Sequence, residues 1–146
     1  YRSLDMLDSR VGLILLYTLM VLPIVIWIMR DQFQGIPVEL EEAALVDGLG
    51  IWGAFLQIVL PIALPGMVAA FILSLVLCWN EYFFAALLTA TNATTLPVMV
   101  ASQTGSQGIN WWSMAALSAA AIMPLVVVAI FLEKYIIKGM AAGAVK

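Results

Sequence analysis

Glu39-Leu40-Glu41-Glu42-Ala43-Ala44-Leu45-Val46-Asp47-Gly48, running on to Ile58-Val59-Leu60-Pro61, is the stretch on which the fold turns. It places Glu39, Glu41, Glu42 and Asp47 between two long apolar segments. A charged side chain in the middle of a bilayer is costly, so this stretch stays out of the hydrocarbon. The apolar segments on either side are then expected to cross a membrane and to present the acidic loop to something soluble. The loop reads as a docking element.

Composition points the same way. Of 146 residues, 64% are hydrophobic and 10% charged, and the mean hydropathy is +1.08. Soluble domains carry about a quarter charged residues, so the expected class is an integral membrane protein. The net charge of -3 comes from acids gathered in one loop, which offers no basic face to nucleic acid, and nucleic-acid partners are not expected. Histidine is absent and Cys78 is the sole cysteine. Nucleophile–base pairs and most zinc sites therefore cannot be assembled from this chain; no metal, cofactor or catalytic residue is expected, and Cys78 reads as a buried, inert thiol. The chain opens at Tyr1 with no initiator Met and no signal-peptide architecture, as expected of a fragment or a processed product of something longer.

Three apolar stretches approach the roughly 20 residues that a helix needs to span. They are Val11 to Met29, Pro65 to about Thr89, and Trp111 to Leu132. Pro23 and Pro124 predict kinks in the first and third. Asn80 and Glu81 interrupt the second in its far half. Asn92 to Asn110, rich in Thr, Ser, Gln and Gly and free of charge, reads as an exposed loop. With three spans, Arg30, Lys134, Lys138 and Lys146 share one side, against Arg2 and Arg10 on the other. The basic excess marks the acidic loop and the C-terminus as cytoplasmic.

The acidic loop, about residues 36–61, reads as two short helices at an angle. Pro37 suits a first helical position, Glu39, Glu41 and Glu42 favour the positive end of the helix dipole, and Gly48 is a C-terminal stop. A second short helix is expected from about Ile51 to Gln57, before Pro61. Ala43 and Ala44 leave no bulk, so another protein's surface can approach closely. The plainer alternative is an ordinary solvated connection between two spans.

Glu-Ala-Ala, three residues, Gly, nine residues, Ile, one residue, Leu-Pro is matched without a gap by Glu42 to Pro61. In this the chain resembles the cytoplasmic loop of permease subunits of bacterial ATP-binding-cassette importers. Ile36-Pro37, Asp47-Gly48, Trp79-Asn80-Glu81-Tyr82, Thr95-Leu96-Pro97 and the closing Gly139 to Lys146 resemble the carbohydrate-importer, maltose-type branch. The resemblance covers nearly the whole chain, but only the C-terminal half of such a permease. It implies an all-α membrane protein of the inner (cytoplasmic) membrane, with about three transmembrane helices and a cytoplasmic helix-turn-helix coupling loop. It implies a second permease subunit, a dimer of cytoplasmic ATP-binding subunits, an extracytoplasmic solute-binding protein and a sugar or related polyol as partners. Glu42, Ala43, Ala44, Asp47, Gly48, Leu60 and Pro61 would couple to the ATPase. A short rigid helix with a small-residue face passes a rigid-body rotation to its spans.

No Gly-x-x-x-x-Gly-Lys-Ser/Thr segment is present, as befits a subunit that is not itself the ATPase. Gly48-Leu49-Gly50-Ile51-Trp52-Gly53 matches the dinucleotide fingerprint in letters, but it follows a helix rather than a strand and is discarded. Asn92-Ala93-Thr94 is a formal glycosylation sequon without meaning in a bacterial host. For the substrate path the sequence offers Asn80 and Glu81, which should face a polar cavity or a partner, and Tyr82 and Phe83, with Phe84, as rings to stack on a sugar. An interhelical hydrogen-bond clamp with ordinary packing aromatics explains the same residues equally well. A permease for a non-sugar solute remains an alternative. A secondary transporter would not need the acidic loop, and a membrane anchor would leave it unexplained.

Overall fold

An apolar chain in a bilayer has no water to satisfy its peptide groups, so it coils and bonds them internally. In the computed structural model, which describes residues 5–105 and 108–143, the result is almost entirely helical. Three helical stretches are long and apolar enough to cross a membrane: Arg10–Gln34, Ile51–Trp79 and Trp111–Glu133. The chain divides into two compact units, Tyr1–Leu22 with Leu75–Phe131, and Pro23–Ser74 with Leu132–Lys146.

Helix α1 (Arg10–Gln34) is opened by Ser9, whose Oγ accepts the Gly12 N–H at 3.4 Å, and carries Pro23 inside it. Helix α2 (Val38–Val46) follows Pro37, which sits at the N-cap, one residue ahead of the helical position expected of it. Helix α3 (Ile51–Ala54), a π turn (Phe55–Val59) and α4 (Leu60–Trp79) follow one another without a break. The second short helix expected at Ile51 to Gln57 is therefore the foot of the span, and the span starts at Ile51 rather than Pro65. Pro61 accounts for the π turn. Having no N–H, it leaves the Gln57 carbonyl without its usual donor, and just before it the Leu60 N–H reaches five residues back to the Phe55 carbonyl.

The span stops at Trp79 instead of running to Thr89. Asn80, Glu81 and Tyr82 are non-helical, and α5 (Phe83–Leu88) resumes after them. The segment read as a plain loop contains α6 (Leu96–Ala101), with Pro97 in its first turn, and an antiparallel pair of two-residue strands, β1 (Thr104–Gly105) and β2 (Gly108–Ile109). Helix α7 (Trp111–Gly143) is started by Asn110, whose Oδ1 accepts the Ser113 N–H at 3.2 Å. It continues through Gly139 and Gly143. Arg2 and Lys146, two of the charges used for orientation, lie outside the described residues.

The interior is built from small side chains. Ala44, Ala54, Ala63, Ala70, Ala85 and Ala93 are buried, while Trp27, Trp112 and Ile130 are exposed. Such a distribution suits a membrane solvent, where small residues let backbones approach and bulky apolar ones meet lipid or other helices. In the second unit the Gln32 side chain lies against Gly66 and fills the space that a Cβ there would take.

Candidate functional site

Two places carry the residues singled out by sequence: the acidic loop and the interruption after α4. In the loop, α2 ends in two bonds that define its turn. The Gly48 N–H reaches the Leu45 carbonyl at 3.1 Å, and the Leu49 N–H reaches the Ala44 carbonyl at 3.1 Å. This is the Schellman arrangement, which needs a left-handed residue just past the cap, and Gly48 has φ +91. Glycine is required there by backbone conformation, since a Cβ would meet nothing within 4 Å. Ala44 is buried beneath the helix, whereas Glu42, Ala43 and Asp47 are exposed. Glu39, Glu41, Glu42 and Asp47 make no side-chain hydrogen bond or ion pair within the described residues. Leu60 and Pro61 fall at the start of α4, behind the π turn rather than on the loop surface.

At the interruption, chain and side chains compensate for each other. The broken helix frees N–H groups at the start of α5, and Glu81 takes two of them: Phe84 N–H donates to Oε1 at 2.8 Å and Ala85 N–H to Oε2 at 3.1 Å. The Tyr17 hydroxyl of α1 donates to the same Oε2 at 2.9 Å. Tyr17 stands seven residues inside Arg10, about 10 Å along α1 from its start. Asn80 turns its amide back onto the Val76 carbonyl at 2.8 Å, leaving its Oδ1 without a partner. Trp79 donates its indole N–H to the Ala121 carbonyl of α7 at 3.1 Å. That carbonyl is next to Ala120, whose usual donor is removed by Pro124. Neighbouring side chains commonly make up for such gaps in proline-kinked membrane helices.

Beside this break lies a cleft of about 460 Å³, whose lining includes Trp79, Asn80, Tyr82, Pro97, Ser118 and Ile122. The structure thus brings Asn80 and Tyr82 to one cavity. Glu81 and Phe83 are not among the lining residues: Glu81 is the α5 cap, and Phe83 is exposed and packs edge-on against Phe84 at 5.4 Å. Cys78 is half-buried, and no metal-binding cluster occurs among the described residues. Sequence reasoning passed over Tyr17 and Ser118, and noted Trp79 only as part of a motif. A tyrosine about two turns inside a span and a serine in an apolar helix carry no signal until their partners are known.

Asp8 was missed altogether. Its carboxylate accepts backbone N–H bonds from Ala90, Thr91, Asn92 and Ala93 at 2.8 to 3.1 Å, together with the Thr91 hydroxyl and the Asn92 amide. Its own N–H donates to the Leu88 carbonyl at 2.7 Å. Successive N–H groups converging on one anion form a nest. The donors, Ala90 foremost, hold the Asp8 carboxyl well below the usual carboxylate range.

The chain thus has three helices long and apolar enough to cross a membrane, each with a proline inside it, an acidic capped loop, and a polar break after the second. Residues 4–142 match the binding-protein-dependent transport system inner membrane component family, and the chain belongs to it. It is 37% identical, over 99% of its length and 54% of the relative, to the trehalose transport system permease protein SugB of Mycobacterium tuberculosis. It is 36% identical to the trehalose/maltose transport system permease protein MalG of Thermococcus litoralis, over 89% of this chain and 48% of the relative. With the diacetylchitobiose uptake system permease protein DasC of Streptomyces coelicolor the figures are 33%, 99% and 53%. The chain spans about half the length of these curated relatives.

Proposed function

We propose that this chain is the C-terminal part of a permease subunit of an ATP-driven, binding-protein-dependent sugar importer, working with a second permease subunit, a cytoplasmic ATPase dimer and an extracytoplasmic binding protein. Its chemistry is non-catalytic: ATP is hydrolysed on the partner. The C-terminus and the acidic loop face the cytoplasm, and Glu42, Ala43, Asp47 and Gly48 form the surface that the ATPase engages, with the buried Ala44 behind it and Leu60 and Pro61 carrying motion into α4. The segment Asn80 to Phe83 borders the translocation path.

The observation that carries the reading is α2 itself: a nine-residue helix with unpaired carboxylates, ended by a glycine in the left-handed region, at the foot of a span. The first-turn acids suit the helix dipole, and all four carboxylates remain free to meet a basic groove on a soluble partner. The sugar assignment is supported by the relatives named for trehalose, maltose and diacetylchitobiose uptake. The test is uptake in cells of the source organism together with pull-down of the ATPase. Deleting the gene should abolish uptake of one sugar, and Gly48→Trp should leave the chain in the membrane while weakening ATPase capture. Normal uptake and capture in the Gly48 variant would refute the coupling role.

A further inference from the structure

We propose that Asp8 is a positioning residue for transport: it fastens the segment leading from α5 into α6 onto the start of α1, so that the outer end of α1 and α6 travel as one body. This rests on the importer reading, which puts the start of α1 on the side opposite the acidic loop, and adds to it a residue and a mechanical role. Six donors meet the Asp8 carboxylate: the N–H groups of Ala90, Thr91, Asn92 and Ala93, the Thr91 hydroxyl and the Asn92 amide. A carboxylate offers about four acceptor positions, so none is left idle. In return the Asp8 N–H holds the carbonyl of Leu88, the last residue of α5, at 2.7 Å. Attachment at two points, one through the side chain and one through the backbone, keeps the segment from pivoting about either.

A turn that needs only to hold its own shape can do so locally, and this one has such a bond: the Thr94 hydroxyl donates to the Ala90 carbonyl at 3.0 Å. A carboxylate brought from 82 to 85 residues away adds what a local bond cannot, a fixed place relative to another helix. A free anion in the nest would satisfy the same N–H groups and leave the segment detached from α1. There is little slack on either side of the tie. Asp8 is followed directly by Ser9, whose Oγ accepts the Gly12 N–H, and by Arg10, the first residue of α1. On the other side Ala93 is buried, and only Thr94 and Thr95 separate it from α6. Asp8 also has φ 52, in the left-handed region disfavoured for residues with a Cβ, and backbone is held in such a region where its surroundings demand it. Packed and bonded elements of this kind shift as rigid bodies, so a displacement of the outer end of α1 reaches α6.

The test compares two cross-links in the permease in its native membrane, with Cys78→Ala as the parent and uptake of maltose, trehalose and diacetylchitobiose as the readout. In Asp8→Cys with Asn92→Cys, a bifunctional methanethiosulfonate reagent rebuilds the tie to α1. In Asp8→Ala with Ala90→Cys and Thr94→Cys, the same reagent closes the turn on itself and leaves it detached. Before cross-linking, both proteins should expose residues 90–95 to proteinase K and take up sugar several-fold more slowly than the parent. Either cross-link should restore protection, and only the tie between positions 8 and 92 should restore uptake. Undiminished uptake in Asp8→Ala, uptake restored by the staple at 90 and 94, or failure of the tie to restore it would overturn the proposal, leaving the nest a turn that only stabilises. A third protein keeps Asp8 and bridges Leu7→Cys to Asn92→Cys, so that the tie is tested without weakening the fold. Its uptake should equal the parent's after cross-linking. A block there would mean that the contact opens during transport, which overturns the proposal as well. No uptake of any sugar by the parent would instead remove the sugar-importer reading, and the transport role of Asp8 with it.

Discussion

In the unit made of Tyr1–Leu22 and Leu75–Phe131, side chains reach across long stretches of sequence to close gaps in the backbone. Asp8 holds residues 90–93, Tyr17 holds Glu81, and Trp79 holds Ala121. In the unit containing Pro23–Ser74, the described side chains make a single hydrogen bond, from Ser74 to the Ala70 carbonyl four residues back. Everything else there is local backbone: the Schellman turn at Gly48 and the π turn before Pro61. Among the described residues, one unit is tied by long-range side-chain bonds, and the other is held by local backbone bonds.

The largest effect is expected where the ties are densest. Asp8→Ala removes the anion on which the nest at residues 90–93 converges, and that segment should become the first site of limited proteolysis. Because the folded-state carboxyl lies below its unfolded value, the stabilisation is complete above about pH 4 and declines as the pH falls further. Thermal melts between pH 3 and pH 7 should show this acid loss in the wild type, and Asp8→Asn should lack it. A melting profile identical to wild type would place the nest outside the energetics of this unit.

Next comes the Tyr17–Glu81 pair. Glu81→Gln and Tyr17→Phe should each cost about 1–2 kcal/mol, as lost caps and lost hydrogen bonds do. The double variant should cost less than the sum, because both changes remove the same bond. Additive losses in denaturant melts would show that the hydroxyl and the carboxylate act separately.

In the other unit, Gly48→Val should destabilise by about 1–2 kcal/mol, since a β-branched residue is poorly accommodated at positive φ, and Gly48→Asn by less. ATPase capture should follow the same order if the turn sets the pose of α2. The smallest effect is predicted for Gly66→Ala. The three atoms nearest its Cβ all belong to the Gln32 side chain, which is long enough to swing aside, so the loss should stay under about 1 kcal/mol and shrink in a Gln32→Ala background. A larger loss would mean that Gln32 is held in place by a bond this unit does not otherwise show.

These two units were not equally legible in sequence. Local rules govern the loop, and there the reading of α2, its acidic first turn and its glycine stop follows from residue types at fixed spacing. The rules failed farther along, where Pro61 was read as the end of a separate helix. A proline removes one donor, and a single widened turn absorbs the loss without ending the helix. The break after Trp79 was foreseen as a polar interruption but not as a stop in the helix, because Asn and Glu can also sit within a helical turn. What ends the helix there is the use of Glu81 as a cap for the next one, supported from a position 64 residues away. Asp8 was invisible for the same reason, its partners lying 82 to 85 residues on. Composition identified the solvent, and the apolar runs the number of crossings. The Asn80–Glu81 pair marked the neighbourhood of the cleft but not which residues line it.

The π turn at Phe55–Val59 sets a compass bearing. Each residue of an α-helix advances the azimuth by about 100°, and a turn closed five residues back instead of four works as a one-residue insertion. Everything on the loop side of Phe55, including the direction in which α2 points its carboxylates, is thereby rotated relative to an uninterrupted helix rising from Pro61. Removing one residue from the turn would leave every side chain of α2 intact and aim the helix elsewhere. A single residue in this turn thus sets the direction of α2 without touching α2 itself.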